Sequence, residues 1–269
     1  MNDLVQHWNI NWFGSLLILG LVIIHLHGNS YRLTRRSRSF FSGVLLLVLA
    51  MFSPINFLGH AYLFSVHMVQ HILLLLIIPP LLLGGMNSEF MDKVVTKRAL
   101  RPLARFLLNP VAAWLTGVGS MWIWHIPVLF RAMKNVPVLS GIHMLALLTA
   151  GAVFAWPVFS PIRRYHLQPL QSVLYLFTAC VGCTVLGIFI TFAPADTYTA
   201  FFQGSDPAIL DLIRNKWELT AGADQQAGGL IMWVPACFIY ITDIMITLSR
   251  WYHTSAVTDS NMQIKGDLK

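Results

Sequence analysis

Two histidines lie one helical turn apart in the sequence HMVQH, at the start of an apolar run long enough to cross a bilayer. His67 and His71 are four residues apart, the spacing that places two side chains on one face of a helix. Neutral imidazoles are ligands for copper, zinc and iron. An ionisable side chain in hydrocarbon is costly and is expected to bind something or to have a hydrogen-bond partner. The pair therefore predicts a metal, cofactor or polar-network site within the membrane.

The composition predicts an all-α integral membrane protein with a single domain, residues 1–269. Hydrophobic residues make up 56% of the chain and charged residues only 11%, a balance that excludes the usual soluble classes. The apolar runs match a hydrocarbon core of about 30 Å, and they are too long for barrel strands and lack their alternation. We therefore expect a bundle of seven transmembrane helices. The expected spans are 11–28, 40–58, 60–84, 110–130, 138–158, 170–192 and 226–250, and the longest outer loop is 193–225.

The loop charges predict the orientation of these spans. If successive loops alternate sides, one side holds all but four of the eighteen lysines and arginines. The exceptions are Arg131, Lys134, Arg214 and Lys216. The positive-inside rule then places the N-terminus outside and the C-terminus in the cytoplasm of a multi-pass protein. The net charge of +7 is spread over short loops that face the lipid bilayer, so nucleic-acid binding is not expected, and no cleaved signal peptide is expected at the N-terminus.

This topology gathers five histidines in the outer half of the membrane. His67 and His71 lie near the outer end of the third span, and His60 shares their face if that helix begins early. His125 lies near the outer end of the fourth span, in WIWHIP, and His143 lies in the first turns of the fifth. The expected metal ligands are His67, His71, His125 and His143, and possible additional ligands are His60 and Met121.

The seventh span begins with a carboxylate and two amides at the same level. Asp224, Gln225 and Gln226 open the stretch DQQAGGLIMW. A metal-bound imidazole needs an acceptor for its other ring nitrogen. We therefore expect these three side chains to support the histidines.

Other polar groups within the spans have less defined roles. Asp243, in the inner half of the seventh span, is an intramembrane carboxylate, so it is a candidate proton or polar-network site. The alternative is a buried pairing with Thr242 or Thr247. Cys180 and Cys183 share a helix face near mid-span, where small residues commonly serve helix packing, and a metal role for them stays open.

Three functions are compatible with the histidines. Imidazoles with thioether sulfur suit copper, and secondarily zinc, better than calcium or magnesium. A haem needs one histidine on each of two facing helices at matched depth, such as His67 or His71 against His125 or His143. A transporter or scaffold would use the histidines only to join helices. Phosphate-binding and nucleophile motifs are missing from the sequence, so enzymatic activity is not expected.

Four segments resemble the multi-spanning CtaG-type cytochrome c oxidase assembly factors. They are HMVQH followed by PPLLLGG, the segment WIWHIP, the His143 helix ending in FAWPVF, and DQQAGGLIMW, and the resemblance covers about 59–251. It implies a bacterial plasma-membrane protein that helps to supply copper to a haem-copper oxidase. The implied partners are the oxidase catalytic subunit and other copper-delivery factors.

The resemblance also implies roles for individual residues. The family's motif histidines correspond to His67, His71, His125 and His143, supported by Asp224, Gln225 and Gln226. One departure concerns position 147. Family members often have an acidic residue and a second histidine soon after the one that matches His143, whereas this chain has Ala146 and Leu147. A site built on that extra histidine is expected to be weaker here.

Overall fold

The computed structural model of the protein describes residues 7–10, 12–32, 34–100, 102, 104, 106, 109–135, 137–194, 197, 198, 204 and 206–267. This part of the chain is helical and contains no strand, which confirms the predicted all-α class. The helices, numbered in chain order, are α1 (Trp12–Gly28), α2 (Arg35–Phe52), α3 (Pro54–Ala61), α4 (Phe64–Ile72), α5 (Ile78–Gly85), α6 (Ser88–Thr96), α7 (Pro110–Trp124), α8 (Pro127–Asn135), α9 (Pro137–Phe159), α10 (Pro169–Phe192), α11 (Pro207–Asp211) and α12 (Ala221–Asp267).

Four described segments are long and apolar enough to cross a membrane by themselves. They are Phe64–Gly85, Leu139–Phe159, Pro169–Phe192 and Ala221–His253. Two further spans are possible if each bent helix pair counts as one: α2 with α3, bent by 47°, and α7 with α8, bent by 77°. The first predicted span corresponds to α1, a shorter apolar helix, and its residue 11 lies outside the described residues. Length and composition therefore support four to six spans.

Proline begins the second helix of each bent pair. Pro54 and Pro127 lack a backbone N–H, which costs nothing in the first turn of a helix but interrupts a helix that would run through them. At the first bend, the Ser53 hydroxyl accepts a hydrogen bond from Ile55 N at 3.2 Å. A second break follows at Tyr62 and Leu63, between α3 and α4. The expected continuous helix from His60 through His71 is therefore wrong, because α3 ends at Ala61.

The Pro79–Pro80 pair shapes the third predicted span without ending it. A π-helical turn, Leu73–Ile77, joins α4 to α5, and Pro79 cannot donate the bond that Leu75 O would accept in a regular helix. Gly151 of α9 packs against this turn so closely that an added Cβ would lie 2.5 Å from Leu75 O. The turn thus brings α9, which carries His143, against the helix that carries His67.

Close helix packing and an outward apolar surface complete the bundle. α10 lies along α12, where a Cβ on Gly187 would lie 2.7 Å from Trp233 Cβ, and such small residues allow close approach of membrane helices. The outer faces of these helices expose large apolar side chains, including Phe189 and Phe238. An exposed apolar surface of this kind fits contact with lipid. The predicted outer loop 193–225 is described only in part, and it contains α11 and the π-helical turn Leu212–Lys216.

Candidate metal centre

Four buried histidine rings from three parts of the bundle lie in contact. His67 and His71 lie on α4, His143 lies on α9, and His125 directly follows α7. The His71 ring centroid is 4.5 Å from that of His67, 4.8 Å from that of His143 and 4.9 Å from that of His125. Each of the four side chains is at most 5% exposed. The structure thus brings all four predicted ligands together.

Three of these histidines can share one ion. One nitrogen each from His67, His71 and His143 lies within 4.8 Å of the other two, and the Nε2 atoms of His67 and His71 are 3.1 Å apart. Among the described residues, neither His71 Nδ1 nor His143 Nε2 has a hydrogen-bond partner. Buried polar atoms without partners are uncommon and call for an explanation. A donor set of neutral imidazoles around two such nitrogens fits a borderline or soft metal ion.

The fourth histidine is held in one orientation and one tautomer. His125 Nδ1 lies 2.6 Å from the carbonyl oxygen of Met121; a carbonyl only accepts, so Nδ1 donates this bond. In the neutral ring, Nε2 is then a lone-pair donor, and it lies 3.2 Å from Met68 Sδ. A thioether sulfur has no proton to give. Neither atom then has a proton to donate to the other, so this contact is not a hydrogen bond, and both atoms are of types that can bind copper.

Met68, rather than Met121, is the methionine whose sulfur lies beside the histidines. Met121 was predicted as a possible ligand, but its Sδ lies 3.9 Å from Cys183 Sγ, and its backbone carbonyl orients His125. The sequence does contain a signal for Met68. It lies three residues before His71, a spacing that makes two helical side chains neighbours.

Asp224 positions the helix that carries His67 and His71. Its Oδ2 accepts a bond from Phe64 N at 2.6 Å, and its Oδ1 accepts bonds from Ser65 N at 3.1 Å and Ser65 Oγ at 2.5 Å. The N-cap residue of α4 makes no side-chain capping bond. A carboxylate at the positive end of the helix supplies the missing acceptor. Asp224 was expected to support an imidazole directly, and instead it anchors the first turn of α4.

The two glutamines that follow Asp224 lie in different surroundings. Gln225 is buried, and its Nε2 donates to the carbonyl oxygens of Ala193 at 2.9 Å and Pro194 at 3.2 Å. Its Oε1 accepts a bond from Tyr198 N at 3.3 Å. Gln226 is exposed. Only Gln225 therefore belongs to the buried network, where it fixes the chain segment that follows α10.

Tyr198 connects this segment to the histidines and was not anticipated from the sequence. Its hydroxyl donates to the backbone carbonyl of His125 at 2.8 Å, and its ring stacks on Phe64. Burial raises the pKa of the Tyr198 hydroxyl, so the group stays a donor at neutral pH. An aromatic residue in an irregular loop carries no sequence pattern that would have predicted this contact.

The remaining predicted residues are not among the four contacting histidine rings. His60 is exposed on α3, with its Nδ1 3.2 Å from Ser140 Oγ. Asp243 lines a cavity near Arg250. The Thr247 hydroxyl donates to the backbone carbonyl of Asp243 at 2.8 Å, and the Thr242 hydroxyl donates to Phe238 O. Of the alternative pairing of Asp243 with Thr242 or Thr247, the structure therefore shows only the bond from Thr247 to the Asp243 backbone.

The cysteines form a contact between helices instead of joining the histidines. Cys180 Sγ of α10 lies 3.0 Å from Cys237 Sγ of α12. Cys183, the other residue singled out in the sequence, donates to Met232 O at 2.9 Å. Leu147, where the resemblance implied that a histidine could be expected, is fully buried in the apolar core. That position adds no ligand to the site.

Comparison with known proteins identifies the family. The model of the cytochrome c oxidase caa3 assembly factor family matches residues 16–254. The chain belongs to this family. The match contains all four clustered histidines together with Met68 and Asp224, and it confirms the predicted resemblance.

One curated relative of this chain is much longer than the part that matches it. An uncharacterised protein of Mycobacterium leprae (strain TN) is 24% identical over 251 residues, which are 87% of this chain and 36% of the relative. The chain thus spans about a third of the length of that relative. No solved structure matches the chain.

Proposed function

We propose that this chain assists the assembly of haem-copper cytochrome c oxidase in the bacterial plasma membrane by handling copper. His67, His71, His125 and His143 hold the ion, with Met68 as a soft fifth donor. Membership of the assembly factor family supports the first part. One observation carries the second part: two buried imidazole nitrogens, His71 Nδ1 and His143 Nε2, have no hydrogen-bond partner among the described residues.

The donor set favours copper over harder cations. Calcium and magnesium require oxygen ligands, but the nearby carboxylate of Asp224 is already engaged by α4. Imidazole nitrogen with thioether sulfur suits copper. The packing also favours a single ion over haem, because the rings on facing helices are already in contact. The His71 ring centroid is 4.8 Å from that of His143 and 4.9 Å from that of His125, which leaves no slot for a macrocycle between them.

The distribution of the ligands suits a cargo that must leave again. The four histidines come from three separate parts of the chain and carry no permanent charge. Such ligands can be displaced one at a time by those of an acceptor protein, here the catalytic subunit of the oxidase or another copper-delivery factor. The chain then acts by binding and transfer, and no catalytic turnover is assigned to it.

We further propose seven spans, with α1 as the first, the N-terminus outside and the C-terminus in the cytoplasm. The support is the charge distribution, since all but four of the eighteen lysines and arginines fall on one side of this arrangement. The histidine cluster then lies in the outer half of the membrane. A reporter that works only in the cytoplasm should be active when fused within 29–34 or after 253. A reporter that works only outside the cell should be active when fused within 193–225. Any reversed reporter contradicts the topology.

The experiment that tests copper handling compares two sets of histidine variants. The double variant His67→Ala with His71→Ala should insert normally but lose copper uptake, whereas His60→Ala, on the exposed face of α3, should keep it. Copper per chain is measured on purified protein loaded with Cu(I) and washed with a chelator. Unchanged copper in the folded double variant contradicts the site, and a Soret band in the purified protein would indicate haem instead.

A second measurement tests the link to the oxidase. In cells that lack this gene, we expect membranes with a deficit of copper in the oxidase and reduced oxidase activity. The wild-type gene and His60→Ala should restore both, and the double variant should restore neither. Normal oxidase copper in the deletion strain contradicts the assembly role.

A further inference from the structure

A large basic cavity lies at the opposite end of α9 from the histidine cluster. It has a volume of about 670 Å³ and is lined where α9, α10 and α12 meet. The basic side chains in its lining are Arg163, His166, Arg250 and His253. Val158 in the cavity wall lies 15 positions after His143 on α9, which is about 22 Å along a helix. The cavity is therefore separate from the metal site.

The lining of this cavity is suited to an anion. Besides the basic groups, its described lining contains the hydroxyl of Ser249 and no acidic residue. The hydroxyls of Ser172 and Thr247 also lie in the lining, but they donate to backbone carbonyls. A second cavity of about 450 Å³ shares Arg163 and Arg250. It adds Arg36 from α2 and the carboxylate of Asp243. Arginines from three separate parts of the chain therefore line the two cavities, and Asp243 is the single carboxylate in their described lining.

The neighbouring arginine provides an internal comparison. Arg164 forms an ion pair with Asp92 on α6 and lies outside the lining of both cavities. Arg163 lines both. Two adjacent residues of the same type thus have different surroundings, and only Arg163 adds its charge to the cavity.

We propose that this cavity binds the phosphate group of an anionic phospholipid, with Arg163 and Arg250 as its principal contacts. The planar guanidinium group donates two parallel hydrogen bonds to phosphate oxygens, and basic pockets between membrane helices are suited to lipid head groups. The surface beside the cavity favours a lipid over free phosphate. Trp251 is both exposed and part of the lining, which also includes the apolar side chains of Val158 and Leu167. These apolar side chains would contact the acyl chains.

The test measures lipid binding to the purified full chain in detergent by native mass spectrometry. Phosphatidylglycerol and phosphatidylcholine with identical acyl chains are titrated in parallel, and phosphatidylglycerol should bind more tightly. Arg163→Gln and Arg250→Gln should each weaken phosphatidylglycerol binding about tenfold, as expected for loss of a charge-assisted contact. Arg164→Gln is the matched control and should leave binding unchanged. Since both lining arginines are exposed, these variants should fold normally, which a thermal melt checks.

Three outcomes would overturn the proposal. The first is equal affinity for the two lipids. The second is an unchanged affinity for phosphatidylglycerol in a variant that carries both Arg163→Gln and Arg250→Gln. The third distinguishes the source of the phosphate. If inorganic phosphate binds as tightly as phosphatidylglycerol, the cavity recognises a soluble anion and not a membrane lipid. The measurement uses metal-free protein, so its result is independent of copper handling.

Discussion

Asp224 and Ser65 are joined by two hydrogen bonds to one carboxylate oxygen, from the backbone amide of Ser65 at 3.1 Å and from its hydroxyl at 2.5 Å. The residues are 159 positions apart in the chain. The contact fastens α12 to the first turn of α4, two residues before His67. The position of the histidine pair is thus set by a carboxylate that does not itself need to touch the metal.

Removing this carboxylate should destabilise the protein. In Asp224→Ala the buried amide of Phe64 and the half-buried amide of Ser65 lose their acceptor, which we expect to lower the free energy of unfolding by about 1–3 kcal/mol. Asp206→Ala is the control, because Asp206 caps the short, exposed helix α11 and should cost less. Thermal unfolding in detergent measures both. Equal shifts in the melting temperature would show that Asp224 does no more than an ordinary surface cap.

Met68 and Met121 should differ in their effect on copper. Replacing methionine by leucine keeps volume and apolar character, so the fold should tolerate either change. Met68→Leu removes the sulfur that lies 3.2 Å from His125 Nε2 and should weaken Cu(I) binding about tenfold or more. Met121→Leu should leave affinity unchanged, because the Met121 sulfur faces Cys183. Competition with a chromogenic chelator gives the two affinities, and a larger loss in Met121→Leu would contradict the assignment of the ligand.

The sequence was sufficient to predict that the four histidines meet, but not what surrounds them. Hydropathy locates the spans, and their alternating direction places His67, His71, His125 and His143 at one depth in the membrane. The prediction works because a bilayer allows few arrangements of the chain other than spanning helices. The role of Asp224 depends instead on a contact between residues far apart in the chain. The placement of His60 on a separate helix depends on a break at Tyr62 and Leu63, and neither is a residue that usually ends a helix. Side-chain direction beyond a helix end has no signature in the sequence.

The contact between Cys180 and Cys237 can be tested by oxidation. With their sulfurs 3.0 Å apart, mild oxidation with diamide should join them; the two thiols lose two protons and two electrons, and diamide is reduced to the hydrazine. Cys183 should stay a free thiol that is alkylated only after denaturation, because it is fully buried and donates to Met232 O of α12. Peptide mass spectrometry identifies the linked pair. Cys183→Ser should still cross-link and Cys237→Ser should not, whereas a Cys180–Cys183 link would contradict the packing of α10 on α12.

Gly151 and Gly119 should respond in opposite directions to the same change. A Cβ on Gly151 would lie 2.5 Å from Leu75 O and 2.7 Å from Pro79 Cγ. The π-helical turn and α9 must then separate, which should cost about 1–3 kcal/mol in Gly151→Ala. Gly119 has nothing within 4 Å of its added Cβ, so Gly119→Ala should be neutral or stabilising by up to about 1 kcal/mol, since alanine favours the helix. Melting temperatures compare the two, and a tolerated Gly151→Ala would mean that α9 does not pack on the Pro79 turn as closely as described. Because α9 carries His143, Gly151→Ala should also weaken copper binding, while Gly119→Ala should not.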